Sequence, residues 1–484
     1  MRELAVKGLK WSFVQQIIVQ IINYLSVVVL AALVDPEVHG FITIASVPVG
    51  FVGVLGSLGV REKVVKEIDV NDEYKSCLLG FVVISSILLF LLNLFLTVLI
   101  AWFYQDKFSF EVLMKFGFLL SLITPIGVFI HYFESFQTRV LNFKGLTITN
   151  AISMLFGATI AIFVAYHGYG YQGLSLKLVL PHLFNLLLHI VIFKPSLKTS
   201  WCPSMYKEFK SFFMFLTFNN IANYFTRNID YLIIGKVFNA EILGQYAIAY
   251  KILLFPMKNV TSRIQSVAMP MLSKLNITSD DFNKKYFMIV GLVSFITLPM
   301  MAIVAITAHD WVPYTFNNNY NLLVHMIIVL SVVGAFQSLV SPVGALYLLK
   351  ESTKIMFINS IIISVVISLA FLLSAMTHNI NYVMLTYSIT WCVLVMPISM
   401  YRIFSIYNMK LGSFFLTIFP SLISVLFASG LVYLVRKNIV IDNMFLSVFF
   451  SVVFFLLIYL MVYRIINKKS ELSLNFYYQL FIGK

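Results

Sequence analysis

Roughly fourteen apolar segments, each about 20 residues or longer, punctuate this chain and limit it to one class of fold. A run of that length, coiled as a helix, crosses about 30 Å of hydrocarbon. Lipid offers no water to satisfy backbone N–H and C=O groups, so each span must satisfy its own. The expectation is an all-α integral membrane protein with about 14 transmembrane helices. Apolar windows place them near 11–34, 40–60, 78–101, 116–137, 146–166, 172–193, 211–237, 244–271, 286–307, 321–349, 355–376, 381–401, 411–435 and 443–463. The first run is about 24 residues, too long for a signal peptide, and is read as a retained helix.

Composition agrees. Of 484 residues, 60% are hydrophobic and 11% charged, where a soluble domain carries about 25% charged residues. The net charge of +14 does not indicate nucleic acid, because no polar domain exists to carry a basic stripe. Basic residues cluster instead in alternate loops. With the N-terminus in the cytoplasm, 24 Lys and Arg fall inside and five outside (Lys107, Lys115, Lys236, Arg436, Lys437). That asymmetry predicts both termini in the cytoplasm. The outside loops are short, which argues against a membrane glycosyl polymerase or ligase. Cys77, Cys202 and Cys392 fit no CxxC spacing and suggest no disulfide framework. No phosphate loop and no histidine ligand pair occur, so neither metal nor nucleotide cofactor is expected.

The chain repeats itself at an offset of 204 residues. Asp35-Pro36-Glu37-Val38-His39-Gly40 returns as Asn239-Ala240-Glu241-Ile242-Leu243-Gly244, both good helix starts. The helix before each carries a polar stripe: Ser12, Gln15, Gln16, Gln20, Asn23 and Ser26 in one, Asn219, Asn223, Thr226, Arg227 and Asp230 in the other. Gln15 matches Asn219, Gln16 matches Asn220, Asn23 matches Arg227 and Ser26 matches Asp230. Interhelical hydrogen bonding explains one such stripe. Two matching stripes point to parallel six-helix lobes around a wet central cavity, 1–200 and 201–404, with 405–484 holding two further helices and a tail. Gly50, Gly53, Gly56 and Gly59 recur every three residues in the second helix, as close helix packing requires. Pro48, Pro256 and Pro270 mark bends.

Five cations lie within spans: Lys177, Arg227, Lys251, Lys258 and Arg263. Each costs roughly 2.5–3.5 kcal/mol to insert and so needs a reason. Arg227 and Lys258 lie near mid-membrane, and Lys251 and Lys258, seven apart, share a face. Asp230 lies within pairing reach of Arg227, and Asp230 and Glu134 are the main anions at depth. The balance is positive and suits a phosphate or pyrophosphate with hydroxyl-rich sugars, not a cationic drug.

Arg227-Asn228-Ile229-Asp230-Tyr231-Leu232-Ile233-Ile234-Gly235-Lys236, then Leu243-Gly244-Gln245-Tyr246 and Ala249-Tyr250-Lys251, resembles the seventh-to-eighth helix signature of Wzx-type oligosaccharide flippases. Pro256 and Val267-Ala268-Met269-Pro270-Met271-Leu272-Ser273 are similar too, as are Gly8-Leu9-Lys10-Trp11-Ser12, Leu58-Gly59-Val60-Arg61 and Arg139-Val140-Leu141-Asn142-Phe143-Lys144. The superfamily also holds multidrug antiporters and the lipid II flippase. The resemblance implies two lobes with alternating access, and movement of polyprenyl-pyrophosphate-linked oligosaccharide repeat units to the outer leaflet. It implies the bacterial inner membrane, a role in O-antigen, capsule or exopolysaccharide synthesis, and a polysaccharide polymerase and chain-length regulator as partners. On this reading Arg227, Lys251 and Lys258 hold the pyrophosphate, with Asp230 beside them. Gln15, Gln16, Asn23, Asn219 and Asn223 bond the sugars. The alternative is a multidrug or cation antiporter, which depends on intramembrane carboxylates.

Overall fold

A computed structural model describes residues 2–56, 70–195, 197–203, 228–265, 279–316, 322–350, 352–438 and 443–467, with 60, 64, 67, 224, 272, 273, 275 and 320; for 2–10, 12–14, 16, 348 and 353 it describes the backbone only. Among these residues regular structure is helical. The chain forms two compact units, Met1–Gly244 and Gln245–Lys484.

The first unit holds α1 (Arg2–Leu33), α2 (Pro36–Gly56), α3 (Asp72–Phe103), α4 (Phe110–Ser121), α5 (Ile123–Arg139), α6 (Phe143–Tyr166) and α7 (Gly170–Phe193). Residues 228–237 are helical, and α8 (Ala240–Leu253) starts here and runs into the second unit. There a π turn (Met257–Thr261) precedes α9 (Asp280–Thr315), α10 (Leu323–Val340), α11 (Val343–Leu349), α12 (Thr353–Ala375) and α13 (Ile380–Thr390). A second π turn (Trp391–Val395), α14 (Met396–Ile406), α15 (Leu411–Asn438) and α16 (Met444–Ile466) complete it. Among the described residues 11 helical segments are long and apolar enough to span a membrane, with α4–α5, α10–α11 and α13–α14 each counted as one. The protein is therefore a multi-pass membrane protein. Three expected spans are not in that number: 11–34, whose described apolar part is only Ile17–Leu33, 211–237, most of which lies outside the described residues, and 244–271, which Pro256 breaks.

Local chemistry sets the helix starts. Asn71, Asn142, Ser279 and Asn443 each accept a hydrogen bond from a first-turn backbone N–H, and Asn239 accepts from Ile242 N at 2.9 Å. Lipid-directed faces stay apolar and exposed: on α1, Ile17, Ile21 and Leu25 point outward while Ser26 is buried.

Long-range contacts join ends that the basic-residue pattern allots to one side. Lys236 Nζ lies 2.8 Å from Asp106 Oδ1, and Arg436 binds Asp310. Both pairs unite expected outside loops. At the other end Arg139 donates to the Val64 and Glu67 carbonyls, and Ser200 N donates to Ser76 O. Below, "inner" names this second end.

The repeat is visible as a reciprocal contact. A Cβ on Gly40 would sit 1.8 Å from the Ala240 carbonyl oxygen, and one on Gly244 would sit 1.8 Å from that of Pro36. The two repeat-related helix starts thus pack backbone to backbone, each through the glycine at the matching position. The other glycine reading holds in part: Gly50 makes room for the Tyr224 ring and Gly56 meets Val128. Gly53 has no such neighbour, and Gly59 lies outside the described residues.

One expectation is overturned. Cys77 and Cys202 form a disulfide, with Cα atoms 5.5 Å apart and 125 residues between them in sequence. Spacing held no hint of it, because folding of α3 through α7 brings the 197–203 segment against the inner end of α3.

In the second unit α9 is the spine. Ser294 meets Ser421 of α15 at 3.1 Å, and Tyr459 of α16 donates to Phe295 O at 2.9 Å. The two helices beyond the repeat are therefore packed into this unit.

Candidate functional site

Asp230 is buried at 4% exposure on the 228–237 helix, and its Oδ1 accepts from Tyr231 N at 2.9 Å. Its proposed partner Arg227, with Asn219 and Asn223, lies outside the described residues. Gln15 and Asn23 are half-buried on α1, opposite the exposed face carrying Ile17 and Ile21, as the stripe requires. The side chain of Gln16 lies outside the described residues.

Lys251 and Lys258 lie seven residues apart, each with accessible surface, although Lys251 is enclosed by surrounding protein. Between them the helix changes character. Pro256 supplies no N–H, and the chain loosens into the π turn that holds Lys258. A π turn widens the helix locally and lets two long cations project from one side. At the repeat offset these lysines correspond to Val47 and Val54 of α2.

A second polar cluster lies at the inner end of the first unit and went unrecognised as a unit in the sequence. Asn185 Nδ2 donates to Asn150 Oδ1 at 2.7 Å, and Asn150 Nδ2 donates to Glu134 Oε1 at 3.3 Å. Three helices, α7, α6 and α5, are thereby linked into a chain that ends on a carboxylate. His189, fully buried one turn from Asn185, uses Nδ1 on the Asn185 carbonyl at 2.9 Å, and His182 does likewise with Leu178 O. Only Glu134 stood out in the sequence. Asparagines and histidines scattered on apolar helices read as packing groups until their facing sides are known.

Comparison with known proteins follows from this geometry. Among solved structures, the lipid II flippase MurJ in an inward closed conformation superposes with a TM-score of 0.77 at 15% identity, covering 95% of this chain and 99% of that one. An inward-facing multidrug transporter of the MATE family gives 0.63 at 13% identity, covering 80% and 95%. These identities speak for the fold alone. Among curated proteins, the lipopolysaccharide biosynthesis protein WzxC of Escherichia coli K12 is 21% identical over 74% of this chain and 72% of its own. The teichuronic acid biosynthesis protein TuaB of Bacillus subtilis is 20% identical over 72% of each. A family sequence model described as polysaccharide biosynthesis protein matches residues 29–325, more than half of the chain. The chain belongs to that polysaccharide biosynthesis protein family.

Proposed function

We propose that the protein moves polyprenyl-pyrophosphate-linked oligosaccharide repeat units across the bacterial cytoplasmic membrane for cell-surface polysaccharide synthesis. The observation that carries this reading is the pair Lys251 and Lys258, seven residues apart within one span and on either side of the break at Pro256, in a chain of this family. Two ammonium groups in one span suit a pyrophosphate, whose charge can offset both. Arg227 completes the anion site, and Asp230, Asn219, Asn223, Gln15, Gln16 and Asn23 bond the sugar hydroxyls. The lobes 1–200 and 201–404 alternate in access, 405–484 adds two helices and the tail, and both termini face the cytoplasm. A polysaccharide polymerase and a chain-length regulator act downstream. No bond is made or broken, so the role is transport rather than catalysis.

The test is surface glycan restored in a host lacking its own flippase, at matched expression. Wild type is expected to restore it, and Arg227→Ala and Lys258→Ala to lose at least about tenfold, the loss of one charged contact of 1.4 kcal/mol or more. Restoration by all three would remove the cation site. Resistance to cationic drugs without glycan export, abolished by Asp230→Asn, would replace the flippase with an antiporter.

A further inference from the structure

The connection that leaves α7 is seated on the first unit at very few points. Residues 197–203 are irregular up to the last of them, and all are exposed except Cys202. Even Leu197 and Trp201 stand 58% and 63% exposed. Ser200 N donates to Ser76 O at 3.0 Å, and Cys202 packs on the core that Leu78, Phe81, Tyr132 and Phe133 build around Cys77. Gly80 leaves room for this approach, since a Cβ there would strike the Ser200 carbonyl. The Cys77–Cys202 bond fastens the whole. A segment that buries so little apolar surface belongs to the least stable part of a fold, and here a covalent bond supplies what packing does not.

Place and partners decide what kind of bond this is. Both cysteines stand at the inner end, on the side with the surplus of Lys and Arg, which that surplus assigns to the cytoplasm. Thiols keep that compartment reducing, and disulfides found there are usually transient or redox-sensing. The two sulfurs are also unequal. Cys77 is 6% exposed inside a regular helix, whereas Cys202 is half-buried on the irregular segment. A small molecule in the water therefore meets Cys202 first, and Cys77 answers only through it.

We propose that Cys77 and Cys202 form a reversible thiol–disulfide switch on the cytoplasmic face, closed by a low-molecular-weight disulfide such as glutathione disulfide. The Cys202 thiolate attacks one sulfur of that disulfide, which forms a mixed disulfide and releases one thiolate to take up the proton that Cys202 gave up. The Cys77 thiolate then attacks the Cys202 sulfur, which forms the Cys77–Cys202 bond and releases the second thiol in the same way. Two electrons pass from the protein to the small disulfide, and excess thiol runs both steps backward.

Closed, the bridge fastens to the inner end of α3 the connection that leads from α7 toward the 228–237 helix. Open, that connection keeps one backbone hydrogen bond and the packing of a single half-buried side chain. The helix it leads to carries Asp230, and a transport cycle needs such an element to move. Oxidation is therefore expected to slow export. That consequence rests on the transport reading above, and the switch rests on the cytoplasmic assignment of the inner end; the test separates the two.

Inverted membrane vesicles carrying the full chain are equilibrated in buffers running from excess glutathione to excess glutathione disulfide, and thiols are counted by mass after denaturation and alkylation. Wild type is expected to pass reversibly between three free thiols and one, that of Cys392. Cys77→Ser is expected to stop at the mixed disulfide on Cys202, and Cys202→Ser to leave Cys77 untouched. The wild-type titration needs no variant, so it decides even where a serine variant fails to assemble. A pair still bonded in acid-quenched growing cells would be a structural bridge, and a pair still reduced in excess glutathione disulfide would be a mere contact; either overturns the switch. Exchange with glutathione confined to the outer face of intact spheroplasts overturns it as well. Export by oxidised against reduced wild type reads the consequence: at least about a fivefold fall on oxidation, absent in Cys77→Ser, supports the restraint. Equal export in both states overturns the restraint, and exchange without export of any repeat unit keeps the switch and removes the flippase.

Discussion

The halves of the chain share helices but not charge. In the first unit, α5, α6 and α7 bury Asn185 and the His189 imidazole between them and hold Asn150 and the Glu134 carboxylate half-buried beside these. The helices that follow α8 and α9 in the second unit, α10, α12 and α13–α14, keep ionisable His, Lys and Arg to their ends, His325, Lys354 and Arg402, though α12 buries Asn359. Their interiors use neutral pairs, such as Gln337 donating to the Tyr387 hydroxyl at 3.1 Å. Cations show the reverse bias, Lys251 and Lys258 standing where α2 has Val47 and Val54. Packing can be met by neutral groups in either half, so the charges mark work that each half does separately.

The largest effect expected concerns what the halves share. Gly40→Ala and Gly244→Ala each drive a Cβ into a backbone carbonyl of the facing helix start. Overpacking of this kind costs about 1–3 kcal/mol or more, and the reciprocal contact predicts equal losses in thermal stability for the two variants. A loss in one alone would break the symmetry.

Next comes the double exchange Lys251→Val and Lys258→Val, which gives α8 the residues of its repeat mate. Export should fall at least about tenfold while the melting temperature stays level or rises, because two inserted charges at roughly 2.5–3.5 kcal/mol each are removed. Equal falls in both quantities would make the lysines structural.

Cys202→Ser should lower stability by about 2–4 kcal/mol, read by melting with and without reductant, through the long covalent loop from Cys77. No such bridge ties the second unit, whose Cys392 is free among the described residues, so the loss should fall on the first unit alone.

The smallest effect is expected at the outer rim. Lys236, hydrogen-bonded to Asp106, holds that exposed carboxyl below its ordinary range. A depressed folded value means the pair contributes above the ordinary carboxylate pKa of about 3.9 and is lost as pH falls through the lower folded value. Asp106→Asn should therefore remove only a weak acid-limb dependence of stability, since exposed pairs are well screened.

Much of this was legible without coordinates. Span positions followed from apolar length, and the repeat from the match at Gly40 and Gly244, whose mutual contact the fold supplies. Pro256 signalled a break, and the structure gives it the form of a π turn. Periodicity along one helix finds Lys251 and Lys258 because they share that helix. It is blind to Glu134, Asn150 and Asn185, which lie on three helices and join only through their facing sides. The Cys77–Cys202 bridge escaped for the same reason.

The central claim is movement of a pyrophosphate-linked glycolipid by the second-unit cations. Proteoliposomes carrying a polyprenyl-pyrophosphate-linked repeat unit, scored for its appearance in the opposite leaflet, test it most directly. Wild type is expected to move the lipid, the Lys251→Val and Lys258→Val double variant to move it at least about tenfold more slowly, and neither to move an uncharged polyprenyl alcohol. Equal movement by wild type and double variant, or of the alcohol as readily as the pyrophosphate, would contradict it.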